Sequence, residues 1–161
     1  MTTPPTVRAD LGWALGTVTR RYMLESAAAL HDVPGGPRGY QVLAAVVRED
    51  PPRQLELAHR LGLDRTVTTY LIDDLERAGL VERRPDPADR RARRILPTEA
   101  GTAKLCELER RLADVEQRLL SGLGDDESRA LRELLQRVAV RIDDGVNACT
   151  AAEELHASGQ L

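Results

Sequence analysis

Residues 54–79 carry the pattern that most restricts how this chain can fold. Leu55, Ala58 and Leu61 lie on one face of a predicted short helix, with Leu57 beside them. Gly62 is a residue that ends helices, because glycine adopts backbone conformations that other residues avoid. The sequence therefore predicts a helix of about two turns that stops at a tight turn.

A second helix is predicted from Arg65 to about Ala78. Asp64 stands where its carboxylate can accept hydrogen bonds from the free amides of the first turn, and Gly79 ends the helix. Its predicted inner face consists of Thr68, Leu71, Ile72 and Leu75. Two short helices joined by a tight turn, the second capped by an aspartate, predict a helix-turn-helix.

An arginine-rich hairpin is predicted directly after this unit. Residues 80–84 and 92–96 read as two strands, and the turn between them begins at Pro85. Residues 83–94 contain six arginines against Asp86 and Asp89, a local net charge of +4, whereas the whole chain has a net charge of −3. Such a polarised charge distribution predicts an anion-binding surface, although a solvated loop is the alternative.

Long amphipathic helices are predicted on both sides of this region. Residues 8–31 carry an apolar stripe that begins at Leu11. Residues 98–150 contain a seam from Leu105 to Leu119 and a further stripe from Leu131 to Val146, with Thr98 as a helix cap. A short buried helix is predicted over residues 39–49. The low aromatic content of 2% also favours a mainly α protein, with the hairpin as its small β element.

Several classes of protein are excluded by what the sequence lacks. No apolar run approaches ~18 residues, which predicts no membrane span, and the first residues do not resemble a secretory signal. Cys106 and Cys149 suggest neither a disulfide framework nor a zinc site. Without a glycine-rich phosphate loop, metal-ligand spacing or a Ser-His-Asp arrangement, we expect no enzyme activity, no cofactor and no metal, and we expect a cytoplasmic protein.

The motifs together resemble the MarR family of bacterial winged-helix transcription regulators. The resemblance rests on residues 57–64 (LAHRLGLD), 75–81 (LERAGLV), 86–91 (DPADRR) and 98–101 (TEAG), and it covers nearly the whole chain. It implies one domain over residues 1–161, with a DNA-binding lobe at 38–97 and dimerisation helices at 8–31 and 98–150. It also implies a homodimer that binds double-stranded DNA at a palindromic operator, most often as a repressor that responds to a small-molecule effector and is associated with the bacterial nucleoid.

The DNA-binding residues are predicted on two elements. The second helix of the predicted helix-turn-helix is the expected recognition helix, and its candidates are Arg65, Thr66, Thr69 and Tyr70. The guanidinium of Arg65 suits guanine, and the threonines can donate to phosphate or meet a thymine methyl. By resemblance, the predicted hairpin is the wing of the fold. Arg91 is then expected to enter the minor groove while Asp89 holds the tip of the wing. Phosphate contacts are expected from Arg90, Arg93 and Arg94.

The chain departs from the family pattern at three positions. Tyr70 and Asp74 stand where many relatives carry arginine, so the operator sequence cannot be transferred from those relatives. Pro97 replaces the usual leucine, which predicts that the second strand of the hairpin ends early. The residue pair expected of urate-responsive relatives is absent, which argues against urate as a ligand.

The sequence offers candidate residues for an effector pocket, and it also allows one alternative function. Trp13, Tyr22, His31 and Tyr40 are candidates for lining a ligand pocket, although each is also consistent with ordinary core or surface. The alternative function is a winged-helix protein-interaction module without DNA binding. Six arginines around the predicted wing argue against that alternative, because a protein-binding module does not need them.

Overall fold

The computed structural model describes residues 10–48, 53–89 and 92–143. Within these ranges it is mainly α with one two-stranded antiparallel sheet, which confirms the predicted fold class. The elements are α1 Leu11–Ala29, α2 Gly36–Arg48, α3 Gln54–Arg60, α4 Arg65–Arg77, β1 Val81–Pro85, β2 Arg93–Pro97, α5 Glu99–Leu119 and α6 Asp125–Asp143. No helix in the described ranges is both long and apolar enough to cross a membrane.

The helix-turn-helix forms as its sequence predicts. The Asp64 carboxylate accepts hydrogen bonds from the amides of Thr66 at 2.7 Å and Val67 at 3.2 Å, which fixes the start of α4. Gly62 and Gly79 end their helices with φ angles of 59° and 72°, in the left-handed region that favours glycine. Gly62 therefore ends α3, and Asp64 and Gly79 define the two ends of α4.

The core lies between α2, α4, α5 and the hairpin. Leu43, Leu57, Ile72, Leu75 and Ile95 are fully buried there. Leu55, Ala58 and Leu61 are predicted to share one face of α3, but Leu55 is 64% exposed, whereas Ala58 and Leu57 are buried. The α5 seam of Leu105, Leu108, Leu112 and Val115 is also buried, against α1 and α2 of the same chain.

The hairpin joins the core where α4, β1 and α5 meet. The Thr98 hydroxyl donates to the Gly79 carbonyl at 2.7 Å and accepts from the Gly101 amide at 2.9 Å. A Cβ atom on Gly101 would lie 1.9 Å from the Leu80 carbonyl oxygen. Thr98 therefore links the start of α5 to the α4–β1 turn, and the absence of a side chain at Gly101 allows the two segments to lie in direct contact.

The prediction that the second strand ends early is wrong. The register runs from Val81 opposite Pro97 to Pro85 opposite Arg93, so Pro97 belongs to β2. Proline supplies no N–H, but it is the last residue of the strand, and the next amide, that of Thr98, donates to the Leu80 carbonyl at 3.2 Å. The pairing thus continues past the proline.

Candidate nucleic-acid interface

Helix α4 buries one face and leaves the opposite face open to solvent. Thr68, Leu71, Ile72 and Leu75 are buried as predicted, whereas Arg65, Thr66 and Tyr70 are exposed, Tyr70 to 66%. The amides of Val67 and Thr66 lower the pKa of the Asp64 carboxyl, so the cap is an anion at neutral pH. The first turn of α4 is therefore rigid and presents polar side chains that a major groove can accommodate.

Thr69 is only partly exposed, unlike Arg65, Thr66 and Tyr70 on the same helix. Its hydroxyl accepts a hydrogen bond from Gln54 Nε2 of α3 at 2.7 Å and donates to the Arg65 carbonyl at 2.8 Å. Both bonds lie within the helix-turn-helix, so the orientation of the Thr69 side chain is set before any ligand arrives.

The acidic side chains of α4 are paired with arginines of the same chain. Asp74 accepts from Arg77 at 2.5 Å on the helix surface. Asp73 and Glu76 both bind the Arg83 guanidinium from β1, and Glu76 also accepts from the Arg83 amide at 2.9 Å. The absence of arginine at position 74 therefore does not leave an unpaired carboxylate on the recognition helix.

Asp86 organises the base of the wing. It is 1% exposed, and its carboxylate accepts from the Ala88 amide at 2.9 Å and from Arg53 Nε at 2.7 Å. Arg94 Nε lies 3.3 Å from the same carboxylate. The Ala88 amide and the Arg53 guanidinium lower the pKa of Asp86 to about 2. A buried anion thus joins the start of α3 to both strands of the hairpin.

Asp86 and Arg53 were not among the residues that the sequence predicts to be functional. The signal available for Asp86 is the Asp-Pro-Ala segment after Pro85, because an aspartate in a turn often accepts the amide two residues on. Arg53 has no comparable signal, since its pairing with Asp86 spans 33 residues.

The predicted wing residues have different surroundings. Arg93 is exposed on β2, whereas Arg94 is half-buried and its guanidinium pairs with the Asp86 carboxylate. Asp89 is exposed at the tip, where its amide donates to the Asp86 carbonyl at 3.2 Å. Arg90 and Arg91 lie outside the described residues. The described part of the wing thus combines exposed arginines with Arg83 and Arg94, whose ion pairs hold the hairpin in place.

The structure does not bring the four candidate pocket residues together. Trp13 lies near the start of α1, and His31 follows its end, where Nδ1 lies 2.8 Å from the Ala28 carbonyl. Eighteen residues of helix would separate them by about 27 Å. Tyr22 borders a shallow apolar groove between α1, α5 and α6. Tyr40 packs on the core beside Arg48, and burial raises the pKa of its phenol. Tyr22 lies near enough to add to this effect, so of the four candidates these two lie close together.

The described residues contain no group of three potential metal ligands among His, Cys, Asp and Glu. Cys106 is exposed and unpaired by any disulfide, and Cys149 lies outside the described residues. The surface formed by α4 and the hairpin instead presents polar side chains on a capped helix and arginines on the hairpin.

A capped helix with one exposed polar face, placed beside an arginine-bearing hairpin, defines a winged helix-turn-helix protein. A sequence profile of the MarR family matches residues 36–92. The apo form of wild-type MarR from E. coli is 26% identical over 80% of this chain and 96% of that chain, with a TM-score of 0.68.

Two structures of the regulator CouR are also similar. CouR from Rhodococcus jostii RHA1 bound to p-coumaroyl-CoA is 29% identical over 84% of this chain and 95% of that chain, with a TM-score of 0.65. The repressor CouR bound to a 23-mer DNA duplex is 28% identical over 86% of this chain and 99% of that chain, with a TM-score of 0.69. Residues 36–92 thus match the MarR family, and the fold of the chain is similar to that of solved MarR-type transcription regulators.

Proposed function

We propose that this protein is a transcriptional regulator that binds double-stranded DNA in a sequence-specific manner. The observation that carries the proposal is the exposed face of α4 beside a wing fixed through Asp86 and Arg83. A rigid helix can enter the major groove only if its outer face is free, and the wing must then lie at a fixed distance from it. The DNA-bound structure of the similar repressor CouR supports this function.

A homodimer is part of the proposal because two helices expose apolar side chains. None of the described side chains of α6 is buried, and Leu134, Leu135, Val138 and Ile142 are between 44% and 64% exposed. Leu11, Leu15 and Val18 of α1 are at least 46% exposed. A second copy of the chain would cover these stripes and relate two α4 helices by a two-fold axis.

Two-fold symmetry of the protein implies a palindromic operator. The two recognition helices would reach successive major grooves about 34 Å, or 10 base pairs, apart. Footprinting on a selected operator should then show two symmetric protected half-sites. A regulator that covers such a site would block access of other proteins to it, so we propose repression as its action and the bacterial nucleoid in the cytoplasm as its location.

The most specific part of the proposal is that a small molecule regulates DNA binding. The similar protein CouR has been observed with p-coumaroyl-CoA. In this chain, the groove beside Tyr22 is lined mainly by apolar side chains of α1, α5 and α6, among them Val18, Leu119 and Leu135. A ligand there would contact the helices proposed to form the dimer, and it could therefore change the spacing of the two DNA-binding lobes.

Three arginine variants test DNA binding and separate its components. Arg65→Ala should weaken binding by ~1–3 kcal/mol and relax preference at one position of each half-site, because alanine cannot bind the base edge. Arg93→Ala should weaken binding to all sequences alike and reduce the salt slope by about 1 for each phosphate that is no longer neutralised. Arg91→Ala should weaken binding most where the flanking DNA is A·T-rich, because a narrow minor groove attracts arginine.

Arg110→Ala is the matched control, since Arg110 is exposed on α5 and the variant has the same change in net charge. Fluorescence anisotropy across operators and salt concentrations measures all four proteins. Identical behaviour of the three variants would contradict the division of roles. If none of them weakens binding, DNA binding itself fails, and the protein-interaction module becomes the better explanation.

A further inference from the structure

The hydroxyl of Thr69 is already occupied by bonds within the protein. It has a single proton, and its 2.8 Å distance to the Arg65 carbonyl assigns that proton to the helix backbone. The bond of 2.7 Å to Gln54 must then run from the Gln54 amide N–H to the hydroxyl oxygen. No proton of Thr69 remains for a phosphate oxygen or for an acceptor on a base.

These two bonds also fix the rotamer of Thr69. Threonine in a helix has a restricted χ1 angle, and anchoring its oxygen to the preceding turn and to α3 determines the position of the methyl group. The side chain is partly exposed, and its methyl group, unlike its hydroxyl, does not need a hydrogen-bond partner. Thr69 therefore offers a positioned apolar group in a surface that is otherwise polar.

We propose that Thr69 recognises the C5 methyl group of a pyrimidine in the major groove. The proposal rests on the proposed DNA binding and specifies one base contact within it. The C5 methyl of thymine is the apolar feature that distinguishes it in the major groove, and threonine methyls contact it favourably. Arg65 lies one turn earlier on the same flank of α4, so the pyrimidine should lie within one or two base pairs of the guanine that Arg65 reads.

The test removes the methyl group from each partner in turn. An operator is selected from random duplexes with the full chain, and each thymine of the half-site is then replaced by deoxyuridine, which lacks only the C5 methyl. Thr69→Ser keeps the hydroxyl and removes the methyl, whereas Thr69→Val keeps a methyl and removes the hydroxyl. Thr102→Ser is the matched control, since the Thr102 hydroxyl also donates to the carbonyl four residues earlier, at 3.1 Å, but lies on α5.

The wild-type protein should lose about fourfold in affinity when one thymine of a single half-site becomes deoxyuridine, and about 15-fold when the equivalent thymine of both half-sites is replaced. Thr102→Ser and Thr69→Val should retain this discrimination. Thr69→Ser should bind the thymine and deoxyuridine operators nearly equally. Affinities for operators with cytosine or 5-methylcytosine at the same position show whether the C5 methyl is also recognised on cytosine.

Two results would overturn the proposal while leaving DNA binding intact. One is an unchanged wild-type affinity at every deoxyuridine position of a specific operator. The other is a Thr69→Ser variant that still discriminates thymine from deoxyuridine while Thr69→Val does not, because the hydroxyl would then be the recognised group. If no operator can be selected at all, the proposed function fails and the base contact fails with it.

Discussion

At the scale of single residues, Asp86 shows how one buried carboxylate can determine the position of a wing. A buried anion is stable only when charges and hydrogen bonds compensate for the removal of its hydration. Here the compensation comes from the Ala88 amide, Arg53 and Arg94, which belong to the turn, the start of α3 and β2. The same contacts that stabilise the anion therefore connect three segments of the winged helix-turn-helix.

Replacing Asp86 should reveal this contribution through its pH dependence. The folded-state pKa is lowered from 3.8 to about 2, so the ionised carboxylate stabilises the fold above pH 4, and this stabilisation is lost as the pH falls towards 2. Asp86→Asn should lower the free energy of unfolding at pH 7, and its difference from the wild type should shrink between pH 4 and pH 2. Urea unfolding at several pH values measures this difference, and a constant difference would contradict the expectation.

Gly101 tests the junction of α5 with the end of α4. An alanine Cβ there would lie 1.9 Å from the Leu80 carbonyl oxygen, so Gly101→Ala should destabilise the protein by ~1–3 kcal/mol or more. Gly122→Ala is the control, because no atom lies within 4 Å of its added Cβ, and it should change stability by less than about 1 kcal/mol. Equal melting temperatures for the two variants would show that the junction adjusts without cost.

At the scale of elements, the wing and the recognition helix are joined by a polar contact. Arg83 on β1 binds Asp73 and Glu76, which are one turn apart on α4. Its side chain is 21% exposed, so the contact is partly shielded from water. The two elements that we propose to contact DNA are in this way held at one separation.

Arg83→Met should weaken this coupling. The substitution retains much of the apolar stem but removes the charge-assisted hydrogen bonds, so stability should fall by ~1–3 kcal/mol. Operator affinity should fall as well, although Arg83 faces α4, because the wing is no longer held at a fixed distance. Thermal unfolding and anisotropy measure the two effects.

Arg84→Met is the matched control for stability, since Arg84 is 63% exposed and pairs with Glu82 on its own strand. We expect a change of less than about 0.5 kcal/mol for this variant. A loss of stability in Arg84→Met equal to that in Arg83→Met would indicate that strand propensity, and not the contact with α4, causes the effect.

The local features of the fold follow from the sequence, and the contacts between distant segments do not. Asp64, Gly79 and Thr98 act within a few residues of themselves, so their capping roles could be predicted. The exposure of Leu55 could not be predicted, because a helix of seven residues is too short for periodicity to define its buried face. The partners of Arg83 and Arg94 depend on how the hairpin packs, which no local pattern encodes.

At the scale of the whole molecule, helices with similar apolar patterns have different roles. The apolar seam of α5 is buried within its own chain, whereas the stripes of α1 and α6 remain exposed. Both patterns have helical periodicity, so the sequence alone cannot show which stripe is covered by the chain itself. Of the predicted dimerisation helices, α1 and α6 therefore leave an apolar stripe open to a second copy of the chain, whereas the α5 seam is covered.

Charge placed within the α6 stripe should therefore prevent dimerisation. The wild-type chain should sediment at twice its mass of 17.8 kDa at micromolar concentration, and Leu135→Glu should sediment as a single chain, because burying an unpaired carboxylate in an apolar interface is costly. Gln136→Glu adds the same charge on the opposite face of α6 and should remain dimeric. Loss of the dimer should also abolish cooperative binding to a two-fold operator while leaving weak binding to one half-site. A wild-type protein that sediments as a single chain, or a Leu135→Glu variant that stays dimeric, would show that α6 does not form the interface.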